Sequence, residues 1–287
     1  MKIEPLSLMH QALLAPKWGA LALPLSEYSF ASRYLFRRGH DLHVVWIGER
    51  VWLKGKMRDG TPYLMPTEDM REIPEAELCE TVKGVDCFYP IPEEWIPSFQ
   101  RFQIHFDRDD SDYLYTREQI ADYPGRHLSA KRNLVKQFQA AYTAEIVEYQ
   151  PRLAEDALSI LHAWQGRFDG KESDFLPCQD GIRLFLELGL SGYLVYIEGN
   201  PAALILGESF GFCFVVHFAK ALTEYKGIYP YLFQELARRL PVETIRWLNW
   251  EQDLGQEGLR QSKLSYQPHQ LASKYRLSIY TAATQKV

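Results

Sequence analysis

The clearest rhythm of apolar and polar positions lies in the second half of the chain. Residues 144–150 alternate with the two-residue period of a half-buried strand, and Pro151 then opens a helix that runs to about Gly166. A second helix fits residues 180–189. Three apolar runs follow, 193–198, 202–208 and 212–218, divided by Gly199-Asn200-Pro201 and Ser209-Phe210-Gly211, so a three-stranded meander is expected. Residues 229–240 carry Pro230 in the first turn and Arg238 and Arg239 in the last, where positive charge meets the partly negative end of a helix. Residues 244–248 read as a short buried strand, 256–264 as a helix and 275–280 as a closing strand.

The first half follows the same order more loosely, which points to an internal duplication. A strand over 2–6 and a helix over 7–15 come first, and Ser26, a good N-cap, opens a helix to about Arg37. Strands 42–47 and 50–54 form a hairpin across Gly48-Glu49, followed by a short strand at 63–65 and a helix at 75–83. Residues 85–89, 92–99 and 102–106 complete the set of elements in that order. The chain divides into an N-terminal domain (1–110), a connecting segment and helix (111–142) and a C-terminal domain (143–287).

Size agrees with that division, since 287 residues at roughly 150 per domain make about two domains with full cores. The four cysteines form no C-x-x-C pair and have no histidine cluster at zinc-ligand spacing, so they read as free thiols in a reducing cytosol, with no metal. The most apolar stretches, 12–25 and 193–206, are broken by prolines and charges short of the ~20 apolar residues of a spanning helix. No basic segment followed by an apolar run marks a secretory signal, and a cytoplasmic protein is expected. A net charge of -5 excludes bulk nucleic-acid binding through the whole surface but leaves local basic faces open.

The order strand, helix, helix, three strands, helix, strand, helix, strand resembles the N-acetyltransferase (GNAT) fold, in which the fourth and fifth strands splay apart to admit an acyl donor. Two stretches are more specific. One is Tyr113-Leu114-Tyr115-Thr116-Arg117-Glu118 with Gly125-Arg126-His127 and Lys131-Arg132-Asn133; the other runs from Trp247 through Asn249, Glu251, Asp253, Gly255, Gly258, Arg260, Lys263 and Tyr266 to Pro268, ending in Lys274-Tyr275. Together they resemble, over nearly the whole chain, the bacterial family named for the C-terminal catalytic domain of phosphatidylglycerol lysyltransferase. The resemblance implies an α/β (α+β) fold of two tandem GNAT-like (acyl-CoA N-acyltransferase-like) domains, each a mixed, mostly antiparallel sheet flanked by helices, akin to the Fem aminoacyltransferases. It implies a transferase that moves an aminoacyl group from aminoacyl-tRNA to a hydroxyl or amine without a cofactor. The named members carry transmembrane segments that this sequence lacks, so a lipid, a peptide or a small molecule all stay open as acceptor.

A coenzyme A-dependent N-acetyltransferase is the second reading, because acetyl-CoA pyrophosphate binds GNAT enzymes at a glycine-rich helix N-terminus. Residues 224–230 occupy that place, where Gly227 fits and Lys226 would assist, but Glu224 is acidic and Pro230 has no N–H. A non-catalytic protein that kept the fold is the third. Within the resemblance, the loop after the fifth strand supplies Glu251 and Asp253 as bases or orienting groups, with Asn249 beside them, and Arg260 and Lys263 share one helical face to hold phosphate or an oxyanion. The plainer reading makes Asp253-Gly255 a turn and the two cations solvated surface. On the first reading, substitutions in this loop affect activity more than stability.

Glu208 and His217 sit in otherwise apolar strands, where a polar group needs a partner; a cleft base with its partner competes with a solvated glutamate and a hydrogen-bonded core histidine. Lys220, just past its strand, is a further donor. Two acid-free tracts bear on tRNA: Arg126, Lys131, Arg132 and Lys136 in the first, and Arg260, Lys263, Lys274, Arg276 and Lys286 in the second, with Tyr266 and Tyr275 placed to stack on an unpaired 3′ end. Solvated surface explains both tracts equally well.

Overall fold

The computed structural model describes residues 2–166 and 174–279. The chain separates into two compact units, residues 1–112 with 272–287 and residues 113–271. Each is built on a seven-stranded sheet.

The first unit runs β1 (Lys2–Pro5), α1 (Gln11–Leu21), α2 (Phe30–Leu35), β2 (His43–Ile47), β3 (Arg50–Lys56), β4 (Pro62–Pro66), α3 (Glu75–Thr81), β5 (Cys87–Pro92) and β6 (Phe102–Phe106). The second runs β7 (Asp112–Thr116), α4 (Arg117–Asp122), α5 (Ser129–Ala141), β8 (Ala144–Glu148), α6 (Ala154–Gln165), α7 (Phe175–Arg183), β9 (Ser191–Ile197), β10 (Asn200–Phe210), β11 (Cys213–Ala221), α8 (Ile228–Arg239), β12 (Trp247–Asn249), α9 (Glu257–Leu264) and β13 (Gln270–Ala272). The last strand, β14 (Lys274–Ile279), returns to the first sheet.

The sheet orders are β1-β2-β3-β4-β5-β14-β6 and β13-β7-β12-β11-β10-β9-β8. Each has a parallel pair, β4 with β5 and β11 with β12, among mostly antiparallel neighbours. Beside each parallel pair lies a strand from elsewhere in the chain, β14 in one sheet and β7 in the other. The sequence division at 110, 142 and 143 therefore differs from the compact units: β7, α4 and α5 are part of the second body, and the chain's last described strand is part of the first.

Local differences have local causes. The helix expected at 180–189 lies at Phe175–Arg183, because Cys178 and Ile182 bury one face and Pro177 sits in the first turn, where no N–H is needed. Glu93–Ser98 form a 3-10 turn that carries Pro97, which cannot donate to a ladder, and buries Trp95. Ser29, not Ser26, caps α2, accepting from the Ser32 amide. Ser26 turns its amide (2.8 Å) and hydroxyl (3.2 Å) to Asp112. The first helix begins at Gln11 and runs through Pro16, not over 7–15. Tyr280, expected in the closing strand, lies outside the described residues.

The core of the second unit explains where its cleft side falls. Phe138 of α5 stacks on Tyr231 of α8 at 4.6 Å, and Val135, Ile228, Leu232, Leu236 and Leu248 fill the same cluster. Burying each such side chain contributes roughly 1.5–3 kcal/mol. Gly227 lets α5 approach this closely: at φ 92° it opens α8, and a Cβ there would lie on the Leu134 carbonyl and 3.1 Å from Phe138.

Candidate functional site

Strands β11 and β12 pair only through Cys213 with Trp247, Phe214 with Leu248 and Val215 with Asn249. Past that point no further residues of the two strands pair. A bulge marks the same place. Leu206 faces Phe218 and Gly207 faces Val216, so His217 is the extra residue on β11, a device that re-aims a side chain. Gly207 is required there, because a Cβ would meet the Val215 carbonyl and stand 2.6 Å from the Phe214 ring.

His217 bridges the parting strands. Its Nδ1 lies 2.8 Å from Glu251 Oε1 and its Nε2 2.9 Å from Glu208 Oε1, and its side chain is wholly buried. Burial opposes the imidazolium, but the two carboxylate hydrogen bonds outweigh it and raise the pKa to about 9. Both ring nitrogens therefore donate at neutral pH. The two carboxylates keep 13% and 17% side-chain exposure, so the bridge borders a partly open surface.

The loop that presents Glu251 is held from behind. Glu251 has φ 56°, a left-handed conformation uncommon outside glycine, and its amide donates to Asn249 Oδ1 at 2.7 Å. Lys263 reaches the carbonyls of Trp250 (2.6 Å), Glu251 (3.1 Å) and Gln252 (2.6 Å). Asp253 is fully buried. Its Oδ2 accepts from Tyr113 (2.6 Å) and Arg260 Nε (2.9 Å), and its Oδ1 from Arg260 Nη2 (3.0 Å) and the Gly255 amide (2.9 Å). Glu251, Asp253, Arg260 and Lys263 thus meet at one loop. Of the four, Glu251 presents its carboxylate to the splay, while the other three fix the loop from within. The turn formed by Asp253 and Gly255 is real, yet Arg260 and Lys263 are not a solvated face.

The remaining candidates separate clearly. Lys220 is buried, ion-paired with Asp174 at 2.6 Å and 3.6 Å over the Trp164 ring. Lys226 is exposed. Tyr266 lies in the core against Trp250 and Phe233, so its ring has no face for a base. Lys274 is in the first unit, fully buried, with Glu27 at 2.7 Å and Asp112 at 2.5 Å. Neither is open to RNA; Arg260, Lys263 and Lys274 of that tract turn inward to partners, while Lys286 lies outside the described residues. Tyr275, half-buried, packs on Phe106. In the first tract Arg132 donates to the carbonyls of Tyr123 and Gly125, Lys131 sits 3.6 Å over Tyr266, and Arg126 is exposed.

Two features were not read from sequence. Tyr113, part of the first signature stretch, is the hydroxyl partner of Asp253, and no spacing along the chain signals that pairing. A surface recess of about 770 Å³ lined by Glu118, Gln119, His127, Gln267 and His269 draws on both signature stretches, which lie far apart in sequence.

The parallel pair, the parting strands and the helix after β11 define the second unit as a GNAT-like acyltransferase fold, and the first repeats its sheet order. The chain belongs to the family described as phosphatidylglycerol lysyltransferase, C-terminal, whose sequence model matches residues 20–278. Among solved structures, a conserved protein of unknown function from Bacteroides thetaiotaomicron superposes with TM-score 0.83 at 24% identity, covering 98% of this chain and 100% of that one. The C-terminal domain of a putative lysylphosphatidylglycerol synthetase from Agrobacterium fabrum gives 0.66 at 15%, covering 95% and 94%. FemX gives 0.61 at 8%, covering 98% of both chains. A comparison with curated proteins finds no relative. Among the described residues, no helix is long and apolar enough to cross a membrane, and no cluster of three or more His, Cys, Asp or Glu is placed to hold a metal ion.

Proposed function

We propose that the protein transfers an aminoacyl group from aminoacyl-tRNA to a hydroxyl or amine acceptor, with the reacting centre where β11 and β12 part. The bridge Glu208–His217–Glu251 carries this reading. An aminoacyl ester is already activated, so the protein must orient two substrates and manage one proton. Glu251 suits that proton: His217 holds one of its oxygens while the side chain keeps partial access to solvent. His217 donates from both nitrogens and acts as a positioning residue. The acceptor's nitrogen or oxygen attacks the ester carbonyl, the C–O bond to the ribose breaks, and the proton passes through Glu251 to the departing ribose oxygen.

Family membership supports an ester donor, and so does the helix N-terminus at Gly227. Its conformational freedom serves the packing of α5, and Pro230 offers no N–H there, which is poor chemistry for a coenzyme A pyrophosphate. Exposed Arg126 and Lys136 remain to attract a nucleic-acid backbone.

Incubation with charged and uncharged tRNA tests the proposal. Binding that weakens steeply with salt, together with loss of the aminoacyl ester that stops in Glu251→Gln, is expected. Undetectable binding at low salt, or unchanged turnover in a folded Glu251→Gln protein, defeats it. No thermal shift with acetyl-coenzyme A is expected.

A further inference from the structure

Strand β6 forms one edge of the first sheet, paired on its inner side with β14. Edge strands in native proteins are usually blunted by charge, proline or a covering loop, because their free backbone groups recruit another strand. Here the edge is apolar: Ile104 is 45% exposed and Phe106 50%. The even positions Phe102, Ile104 and Phe106 share one face by the two-residue strand period, and Gln103 and His105 share the other.

The sequence across this edge is self-complementary. From 101 to 107 it reads Arg-Phe-Gln-Ile-His-Phe-Asp. An antiparallel pairing of two such strands about Ile104 sets Phe102 opposite Phe106, Gln103 opposite His105 and Arg101 opposite Asp107. Each pair occurs twice under the two-fold. Opposite charges and aromatic pairs in facing positions stabilise antiparallel strands, and residues opposite each other lie on one face, so the six apolar side chains form a single strip. Arg101 and Asp107 are both exposed. Beside Asp107 lies a recess of about 420 Å³ also lined by Asp59, Asp86 and Arg276, the last ion-paired with Asp59 at 3.2 Å, on the face to which a second copy's Arg101 would come.

We propose that β6 is a homodimer surface, and that a second copy of this chain pairs with it antiparallel about Ile104 to make one continuous sheet. Five-residue strands bury an area at the small end of the range for specific interfaces, so the dimer is a reversible one that fills with concentration.

Sedimentation of the full chain over a range of concentrations, with three variants, tests this. Wild type is expected to show a monomer–dimer equilibrium, and Ile104→Lys to abolish the dimer without loss of fold, since that side chain is nearly half exposed. Asp107→Arg, which sets like charges opposite each other twice, is expected to weaken dimerisation by about tenfold. Adding Arg101→Glu to Asp107→Arg restores opposite charges and the dimer. Ile104→Cys should give a disulfide-linked dimer on mild oxidation, because facing Cα atoms in such pairs stand about 4.5–5.5 Å apart, within disulfide reach. A chain that stays monomeric and whose Ile104→Cys form does not crosslink overturns the proposal and leaves the edge to a foreign strand. A dimer indifferent to Ile104→Lys overturns it as well.

Discussion

Replacing Asp253 with asparagine probes how the loop carrying Glu251 is fixed. The wild-type carboxylate is fully buried and accepts hydrogen bonds from Tyr113, the Gly255 amide and two nitrogens of Arg260. An amide keeps one acceptor oxygen and turns the other position into a donor that faces donors. Removing one partner of a buried ion pair costs about 3–5 kcal/mol. Arg260 keeps 26% side-chain exposure and can recover some hydration, so about 2–4 kcal/mol is expected. Tyr113→Phe, which deletes one hydrogen bond to the same charge, should cost about 1.5–3 kcal/mol. The double variant should fall short of the sum, since both act on one oxygen. Urea unfolding followed by tryptophan fluorescence and far-UV circular dichroism reads these values from the transition midpoint. A loss below about 0.5 kcal/mol for Asp253→Asn would refute the reasoning and return the residue to the role of a cleft-facing group. The sequence alone points to an effect on activity rather than stability; burial of the carboxylate reverses that expectation.

Other outcomes follow from the same geometry. The pKa of His217 rises from 6.5 to about 9 on folding, so its stabilisation is complete below about pH 6.5 and is lost as pH rises through about 9, a change on the order of 3 kcal/mol. Stability measured across that interval should fall in wild type and flatten in His217→Gln; a flat wild-type profile contradicts the bridge. Gly227→Ala should destabilise by about 2–4 kcal/mol, since the new methyl meets the Leu134 carbonyl at a positive φ, and an unchanged melting temperature would show that α5 does not pack there. Lys274→Met leaves Glu27 and Asp112 buried without their cation and should cost about 3–5 kcal/mol, partly recovered by adding Glu27→Gln. Equal stability of Lys274→Met and wild type in denaturant would count against an ionised cluster.

Strands and helices with an unbroken period were legible. The meander at 193–218 and the helix at 229–240 lie within two or three residues of β9, β10, β11 and α8, because alternation and an apolar stripe report directly on which face is buried. The backbone is harder to read where proline or short turns govern it, as at 7–37, since periodicity carries little information over one helical turn. The site was partly legible. His217 and Glu208 are conspicuous as polar residues in apolar strands, but their joining to Glu251 depends on a one-residue bulge that no spacing rule signals. Lys274 and Tyr266 looked like surface because charge and aromaticity suggest exposure, whereas partners more than 140 positions away take both inside.

The return of β14 to the first sheet also orders events during synthesis. Residues 113–271, the second body, emerge from the ribosome as one uninterrupted stretch. The first body holds a gap between β5 and β6 until Lys274–Ile279 arrives to fill it. The half of the protein that is made first is therefore the half that closes last, and a chain terminated shortly before Lys274 would leave the facing flanks of β5 and β6 unsatisfied.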